Sequence, residues 1–181
     1  QDPTRLVATH EQIRAASIPL PYDLLRGKEC IGGVDYADIR DFIGVGLLFK
    51  IEDKRYWVHH TFIVEASLKL KTYNPALMEQ AKAKGGYTVV PGETMNPLYI
   101  TEWFKRMAKT YRIKTIIADR FRSGPLREAF MNEGLPFEDV PVGPPTHNKL
   151  APTIDDMFAG HKFFFEDEPM MRWFIANVKV V

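Results

Sequence analysis

Three apolar runs follow one another early in the chain, separated by short polar links. The runs are "ECIGGV" (29–34), "FIGVGLLFKI" (42–51) and "RYWVHHTFIV" (55–64), all rich in β-branched or aromatic residues. The links are "DYADIRD" and "EDK". Short runs of this composition with short links are typical of β-strands joined by tight turns. The pattern therefore predicts three consecutive antiparallel strands.

Beyond the third run, helical and extended segments alternate. Asn96 and Pro97 supply a helix N-cap and a first-turn proline, and an apolar stripe follows at helical spacing. The further helices predicted from such signals are 75–84, 123–134, 149–159 and 169–176. The further strands predicted are "YTVV", "KTIIA", "FEDVPV", "KFFF" and "NVKVV". This order predicts an α/β fold with a mixed sheet and helices on both faces, the order of the ribonuclease-H-like fold.

Composition and charge restrict the classes of function. The chain has 181 residues, 45% of them hydrophobic and 26% charged, which indicates one globular domain with a sizeable core. The formal net charge is +1, so a nucleic-acid partner would need a local basic surface. The single cysteine, Cys30, excludes an internal disulfide framework and suits a reducing cytoplasm. No apolar stretch approaches the length of a membrane span, and we expect no membrane partner.

Two aspartates stand where predicted buried strands end. Asp35 follows the first apolar run, and Asp119 follows "TIIA". If these two strands are neighbours, the two carboxylates emerge together, and they repel unless a cation lies between them. Mg²⁺ and Mn²⁺ prefer oxygen ligands, and two such ions about 4 Å apart hydrolyse phosphodiesters in many enzymes. Because Asp is also a common turn residue, a purely structural role stays open, above all for Asp119.

Other acids and bases are weaker candidates. Asp38 and Asp41 are interpreted as turn residues, with a peripheral metal contact through water as the alternative. Either Asp155 or Asp156 is a possible third ligand, although exposed helix-face acids are the simpler explanation. Four basic residues are candidates for holding DNA phosphates: Arg120, Arg122, Arg127 and Lys149. Ion pairing of the arginines with Glu128 and Glu133 is the alternative.

Several catalytic motifs are missing from the sequence, and the histidine pair does not form a chelating site. His59 and His60 lie in a predicted strand, so their side chains point to opposite faces. The sequence contains no GxxxxGK[ST] loop, no GxGxxG after a strand, no GxSxG and no HExxH. The chain as given is therefore not an ATPase.

Several blocks together resemble the C-terminal nuclease domain of tailed-bacteriophage terminase large subunits. The blocks, in order, are "GGVDYADIRDFIGVGLLF", "YWVHHTFIVEASL", "KTIIADRFRSGPLREAF", "LAPTIDDMFAG" and "PMMRWFIANVKV". The resemblance runs from about Cys30 to Val181. It implies a ribonuclease-H-like fold and a two-metal Mg²⁺ or Mn²⁺ endonuclease that cuts concatemeric double-stranded DNA during genome packaging.

The resemblance also implies roles for single residues and for partners. By motif match, Asp35 and Asp119 are the first two catalytic acids. The family's third aspartate lies farther on, so it either falls beyond Val181 or is replaced by Asp155 or Asp156. Residues 1–27 are then a linker or arm from an upstream ATPase domain, and 28–181 form a nuclease domain that ends before its last helix. The implied partners are DNA, the ATPase domain, the small terminase subunit and the capsid portal, in the cytoplasm of the bacterial host.

Two alternative functions stay open at this point. Another ribonuclease-H-like nuclease, such as a ribonuclease H, a junction resolvase or a transposase-like core, has the same fold, and fold does not fix function. A non-catalytic module that binds DNA or packaging proteins is the second alternative.

Overall fold

The structure is a computed structural model that describes residues 5–36, 42–70, 73–121, 123–177 and 179–180. Its strands are β1 (Arg5–Leu6), β2 (Ser17–Ile18), β3 (Glu29–Asp35), β4 (Phe42–Ile51), β5 (Lys54–Val64), β6 (Tyr87–Val90), β7 (Arg112–Asp119), β8 (Phe137–Val140), β9 (Phe163–Glu166) and β10 (Lys179–Val180). Its helices are α1 (His10–Ala16), α2 (Tyr22–Leu25), α3 (Glu65–Leu70), α4 (Pro75–Ala83), α5 (Pro97–Ala108), α6 (Gly124–Asn132), α7 (Pro144–Ala159) and α8 (Pro169–Asn177).

A mixed sheet organises the fold. Among the described residues it has eight strands, in the order β2-β9-β5-β4-β3-β7-β8, with β6 pairing to β5. Strands β3, β4 and β5 form the predicted antiparallel meander. Strand β7 lies parallel to β3, and β8 lies parallel to β7. Because β3 and β7 are neighbours and parallel, their carboxyl ends meet at the same edge of the sheet.

Helices cover both faces of the sheet, as the sequence predicts. On one face, α5 and α6 pack on the strands through a core that includes Ile100, Phe104, Leu126 and Phe130. On the other face, α1, α7 and α8 pack around Phe165, and α4 and α8 pack around Ile63. No helix among the described residues is both long enough and apolar enough to cross a membrane.

Helix α7 begins earlier than the sequence predicts. The segment "GPPTHN" is predicted as a loop, whereas the helix starts at Pro144. Proline fits the first turn of a helix because the N–H groups there have no partner within the helix. Pro144 and Pro145 therefore begin α7, and the prediction of a start at Lys149 is wrong.

The segment before β3 packs on the sheet instead of extending from it. Ile13 and Ala16 of α1 are buried against Phe158 of α7 and Phe165 of β9. Strand β2 pairs in parallel with β9. Thr9 caps α1 with a capping box in which Gln12 is the partner. The described part of residues 1–27 thus contributes to the core, and its origin as a linker from an upstream domain stays a prediction.

Candidate active site

Asp35 and Asp119 lie side by side at the edge where β3 and β7 end. Val34 pairs with Ala118 in the parallel register, and the two aspartates are the next residue on each strand. Val34 and Ala118 are buried against the α5–α6 face, so the alternation of side chains directs both aspartates to the opposite face. Both line one cleft with a volume of about 590 Å³. Neighbouring strands are about 4.8 Å apart, a spacing at which one cation can contact two carboxylates.

The carboxylate of Asp119 is held by the turn that follows it. The backbone N–H of Phe121 donates a hydrogen bond to Asp119 Oδ1, at 3.0 Å. The N–H of Arg120 donates to the carbonyl oxygen of Val140 on β8, at 2.8 Å. These bonds fix the exit of the chain from β7 and orient one oxygen of the carboxylate.

Aromatic and aliphatic side chains form the walls of this cleft. Met171, Phe174 and Ile175 of α8 line it on one side, and Trp57 lines it from the sheet. Two glycines leave room for the indole: a Cβ at Gly46 would lie 2.2 Å from Trp57 Cζ2, and one at Gly33 would lie 3.2 Å from Cη2. A glycine within a strand often marks a place where another group comes close to the backbone. In β3 and β4 that group is the indole ring of Trp57.

His59 lies in the cleft as a neutral side chain. The indole N–H of Trp57 donates to His59 Nδ1 at 3.2 Å, so the ring proton is on Nε2, which donates to Thr61 Oγ1 at 3.0 Å. Burial lowers the pKa of His59 to about 3, and His60 adds a smaller effect in the same direction. His60 lies on the opposite face, where Nε2 is 2.8 Å from Thr88 Oγ1. The cleft thus gains no positive charge from His59 at neutral pH.

The proposed third ligands lie elsewhere. Asp155 and Asp156 line a different cavity, between α1 and α7, together with His10. Asp38 and Asp41 fall outside the described residues. In the described part of the chain, no group of three or more His, Cys, Asp or Glu side chains is arranged to hold a metal ion. The structure therefore brings together Asp35 and Asp119, but it does not bring Asp155 or Asp156 to them.

Two of the predicted phosphate-binding arginines are ion-paired within the protein. Arg120 Nε donates to Asp139 Oδ1 at 3.2 Å, and the Arg127 guanidinium pairs with Asp139 Oδ2. For these two arginines the ion-pair alternative is supported, with Asp139 as the partner in place of Glu128 or Glu133, and Glu133 pairs with Lys105 at 2.9 Å. Lys149 is exposed on α7, and Arg122 falls outside the described residues.

Sequence reasoning missed several residues of this region. The sequence predicts a strand at Trp57 and His59 but no role for either side chain, and it gives no indication of a role for Asp139. One signal for Trp57 was present: glycines in two strands adjacent to a strand with a large aromatic residue indicate that a ring lies across them. Asp139 gives no such signal, because its partners are set by the pairing of β8 with β7.

The fold is shared with large terminases of bacteriophages. The HK97 bacteriophage large terminase superposes with a TM-score of 0.82 at 12% sequence identity, covering 97% of this chain and 37% of that protein. The large terminase nuclease from thermophilic phage G20c with bound magnesium gives 0.60 at 10% identity, covering 98% and 82%. The large terminase of a second thermophilic bacteriophage gives 0.53 at 10% identity, covering 89% and 33%.

These likenesses establish the fold. The predicted ribonuclease-H-like α/β fold, in the form found in large terminase nucleases, is confirmed. The chain spans 37% of the length of the HK97 protein. No protein-family model matches the sequence, and no curated protein sequence matches it. The likeness is therefore one of structure at low sequence identity.

Proposed function

We propose that this chain is the metal-dependent DNA endonuclease domain of a phage genome-packaging terminase, and that it cuts concatemeric double-stranded DNA. The observation that carries the proposal is the pair of acids, Asp35 and Asp119, at the ends of parallel β3 and β7. The fold around them is that of large terminases, including a nuclease crystallised with magnesium. Two carboxylates on adjacent strands in a cleft provide the oxygen ligands that hydrolysis of a phosphodiester by divalent ions requires.

The donor set fits Mg²⁺ or Mn²⁺. Both acids offer hard oxygen ligands, and no cysteine lines the cleft among the residues that the structure describes there. Both ring nitrogens of His59 are already hydrogen-bonded to protein groups. Two bound ions would supply the positive charge that stabilises the transition state of phosphodiester hydrolysis. Asp35 and Asp119 would hold them, and the Phe121 N–H would keep one Asp119 oxygen oriented.

The rest of the cleft would act through its low polarity. The apolar side chains of α8 and the ring of Trp57 limit water next to the acids, which strengthens the attraction between carboxylates and cations. Neutral His59 adds no charge that would compete with a cation. These residues make the pocket favourable for a divalent ion without themselves touching the scissile bond.

DNA contacts are proposed at four basic residues. Arg122 and Lys149 are the proposed phosphate contacts, together with the solvent-facing edges of Arg120 and Arg127, which keep 63% and 48% of their side chains exposed. In a longer protein the partners would be an ATPase domain, a small terminase subunit and a portal, in the cytoplasm of the bacterial host. Because phosphate contacts carry no base information, we expect little sequence preference in cutting.

The two alternatives make different predictions. A ribonuclease H would cut an RNA–DNA hybrid in preference to a DNA duplex, so both substrates belong in the assay. The non-catalytic module is favoured by one observation, since only two acids come together among the described residues. Such a module would bind DNA without metal and would be unaffected by loss of Asp35.

The decisive experiment is Mn²⁺-dependent nicking of supercoiled plasmid by the wild type, Asp35→Asn and Asp119→Asn. Each variant removes a carboxylate charge and keeps the side-chain size. We expect nicking to fall more than about 100-fold in each, because even outer partners of metal ligands cost about 10- to 100-fold when lost. Thermal unfolding checks that both variants remain folded.

Asp156→Asn is the matched control, because Asp156 is exposed and lines the other cavity. It should nick plasmid as the wild type does. Equal activity in the wild type, Asp35→Asn and Asp119→Asn would reject the nuclease proposal. Metal-independent DNA binding without nicking would support the non-catalytic alternative.

A further inference from the structure

Asp139 is a carboxylate close to the cleft that is bonded to several side chains, and it is not among the residues that line the cleft. It lies on β8, where it pairs with Ala118 of β7, one residue before Asp119. Its side chain is only 10% exposed. Among the described residues, the side chains of Arg120, Ser123 and Arg127 form hydrogen bonds or ion pairs with it. A buried carboxylate with this many donors is stable only while the donors stay in place.

All three partners belong to the turn after Asp119 or to the first residues of α6. Arg120 Nε donates to Asp139 Oδ1 at 3.2 Å, and the Ser123 hydroxyl is 3.0 Å from Oδ2. The hydroxyl of Ser123 is also 3.0 Å from the Arg120 carbonyl oxygen. The side chains of Arg120 and Ser123 are therefore bonded to Asp139 of β8, and the backbone N–H of Arg120 is bonded to the next residue of the same strand, Val140.

The same turn holds the Asp119 carboxylate. The N–H of Phe121, in the middle of the turn, donates to Asp119 Oδ1 at 3.0 Å. Arg120 and Ser123, on either side of Phe121 in the chain, are both bonded to Asp139 through their side chains. Side-chain bonds and the backbone between Arg120 and Phe121 thus connect Asp139 to Oδ1 of Asp119.

We propose that Asp139 is a positioning residue for Asp119: it fixes the Arg120–Ser123 turn so that the Phe121 N–H orients the Asp119 carboxylate for a divalent cation. The inference rests on the proposed function for the identity of the ligand. It adds a second role to the proposed DNA contacts of Arg120 and Arg127, because Asp139 pairs with both guanidinium groups while much of each side chain stays exposed.

The test uses Asp139→Asn and Ser123→Ala, with two readouts that do not require catalysis. The first is hydrogen exchange of the Phe121 amide in metal-free protein, which should become about fivefold faster or more when the turn loosens. The second is the Mn²⁺ dissociation constant, which should rise about 10- to 100-fold in Asp139→Asn, as loss of an outer partner of a metal ligand does. Ser123→Ala should also speed exchange of the Phe121 amide and raise the Mn²⁺ dissociation constant. If Asp139→Asn does not fold, the result for Ser123→Ala alone tests the proposal.

Glu29→Gln is the matched control. It breaks the Arg112–Glu29 ion pair at the opposite end of the same two strands, where the two charged groups are 3.5 Å apart. Both readouts should stay at the wild-type value in this variant. Nicking by Asp139→Asn should be lost at low Mn²⁺ and recover at high Mn²⁺, whereas a general loss of structure would not be rescued by metal.

The outcomes separate this inference from the proposed function. Unchanged Phe121 exchange in both variants overturns the inference, whatever the protein cleaves. Equal changes in Glu29→Gln overturn it as well, since the effect would then be general. If Phe121 exchange rises in both variants but the wild type neither binds Mn²⁺ nor nicks DNA, the positioning of Asp119 stands and the nuclease proposal fails.

Discussion

His59 shows how one buried side chain is kept in a single protonation state. Both ring nitrogens are hydrogen-bonded, one to Trp57 and one to Thr61, and Thr61 is fully buried. Protonating the ring would place a second proton on Nδ1, opposite the indole N–H, which is also a donor. Burial and this donor arrangement both disfavour the charged form, in agreement with a pKa of about 3.

This lowered pKa predicts a loss of stability in mild acid. Between about pH 6.5, the ordinary value for histidine, and pH 3, the unfolded chain binds a proton at His59 that the folded chain does not. Stability is therefore highest above pH 6.5 and falls as the pH is lowered, by at most about 1.4 kcal/mol per pH unit. By pH 5 the loss from His59 should approach about 2 kcal/mol.

Urea unfolding of the wild type and of His59→Gln at several pH values measures this effect without divalent ions. Glutamine carries an acceptor oxygen and a donor amide, as neutral histidine carries an acceptor and a donor nitrogen, but glutamine does not titrate. The variant should have a shallower dependence of unfolding free energy on pH between 5 and 7. The remaining slope includes His60, whose pKa burial also lowers. Parallel curves for the two proteins would contradict the assignment.

At the scale of elements, the surface formed by β3, β4 and β5 is shaped by one ring. Trp57 on β5 lies across Gly46 on β4 and reaches Gly33 on β3. The indole can lie flat only because these positions lack a Cβ. The ring in turn positions His59 through its N–H. The strand pairing and the glycines thus set the sheet-side wall of the cleft.

Gly46→Ala tests this arrangement. The added Cβ would lie 2.2 Å from Trp57 Cζ2 and 2.5 Å from Cε2, so the indole must move. We expect a destabilisation of about 1–3 kcal/mol, as for overpacking of a well-filled site. Urea unfolding gives the energy, and a shift in the tryptophan emission spectrum reports the displaced ring.

Gly124→Ala is the control for replacing glycine with alanine at a position that does not contact Trp57. A Cβ at Gly124, the first residue of α6, would have no atom within 4 Å. This variant should change stability by no more than about 1 kcal/mol, because the gain from restricting the unfolded chain is opposed by Pro125, which disfavours helical backbone in a preceding residue that has a Cβ. A similar loss of stability in both variants would mean that contact with Trp57 is not the cause.

Most elements were predictable because their signals are local. Strands β4 and β5 are bounded by turn residues, and their apolar content is apparent over ten or eleven positions. Asn74 and Asn96 mark the starts of α4 and α5 by capping their first N–H groups. The start of α7 was missed because two consecutive prolines favour a loop in the absence of context, although each fits a first helical turn.

The candidate site was predictable only in part, because only some of its features follow from local sequence signals. Asp35 and Asp119 each end a buried strand, so a single assumption, that the strands are neighbours, brings them together. The cover of the cleft by Phe174 and the engagement of Arg120 by Asp139 depend on packing between segments far apart in the chain. Hydrophobic periodicity shows which face of α8 is apolar, but not which part of the sheet it will cover.

At the scale of the whole molecule, the packing of α1 bears on whether the segment before β3 unfolds together with the rest of the domain. The sequence prediction treats residues 1–27 as an arm, yet α1 is packed between α7, α8 and β9. Ile13 is 4% exposed, and the side chains around it include Phe158 and Ile175. If this packing is part of the domain's stability, a cavity made at Ile13 should weaken the whole fold, since small domains unfold as one unit.

Ile13→Ala is therefore expected to destabilise the protein by about 2–5 kcal/mol, the range for truncating a large buried aliphatic residue. Arg14→Ala, one position along the same helix and exposed, should change stability by less than about 0.5 kcal/mol. Urea unfolding is followed at the tryptophans, which lie in β5, α5 and α8; Trp103 of α5 belongs to the core on the face of the sheet opposite α1 and so reports the main body of the fold. A single transition that shifts to lower urea in Ile13→Ala alone would place α1 inside the cooperative unit. Coincident transitions in both variants and the wild type would mean that α1 is an appendage, as the sequence predicts.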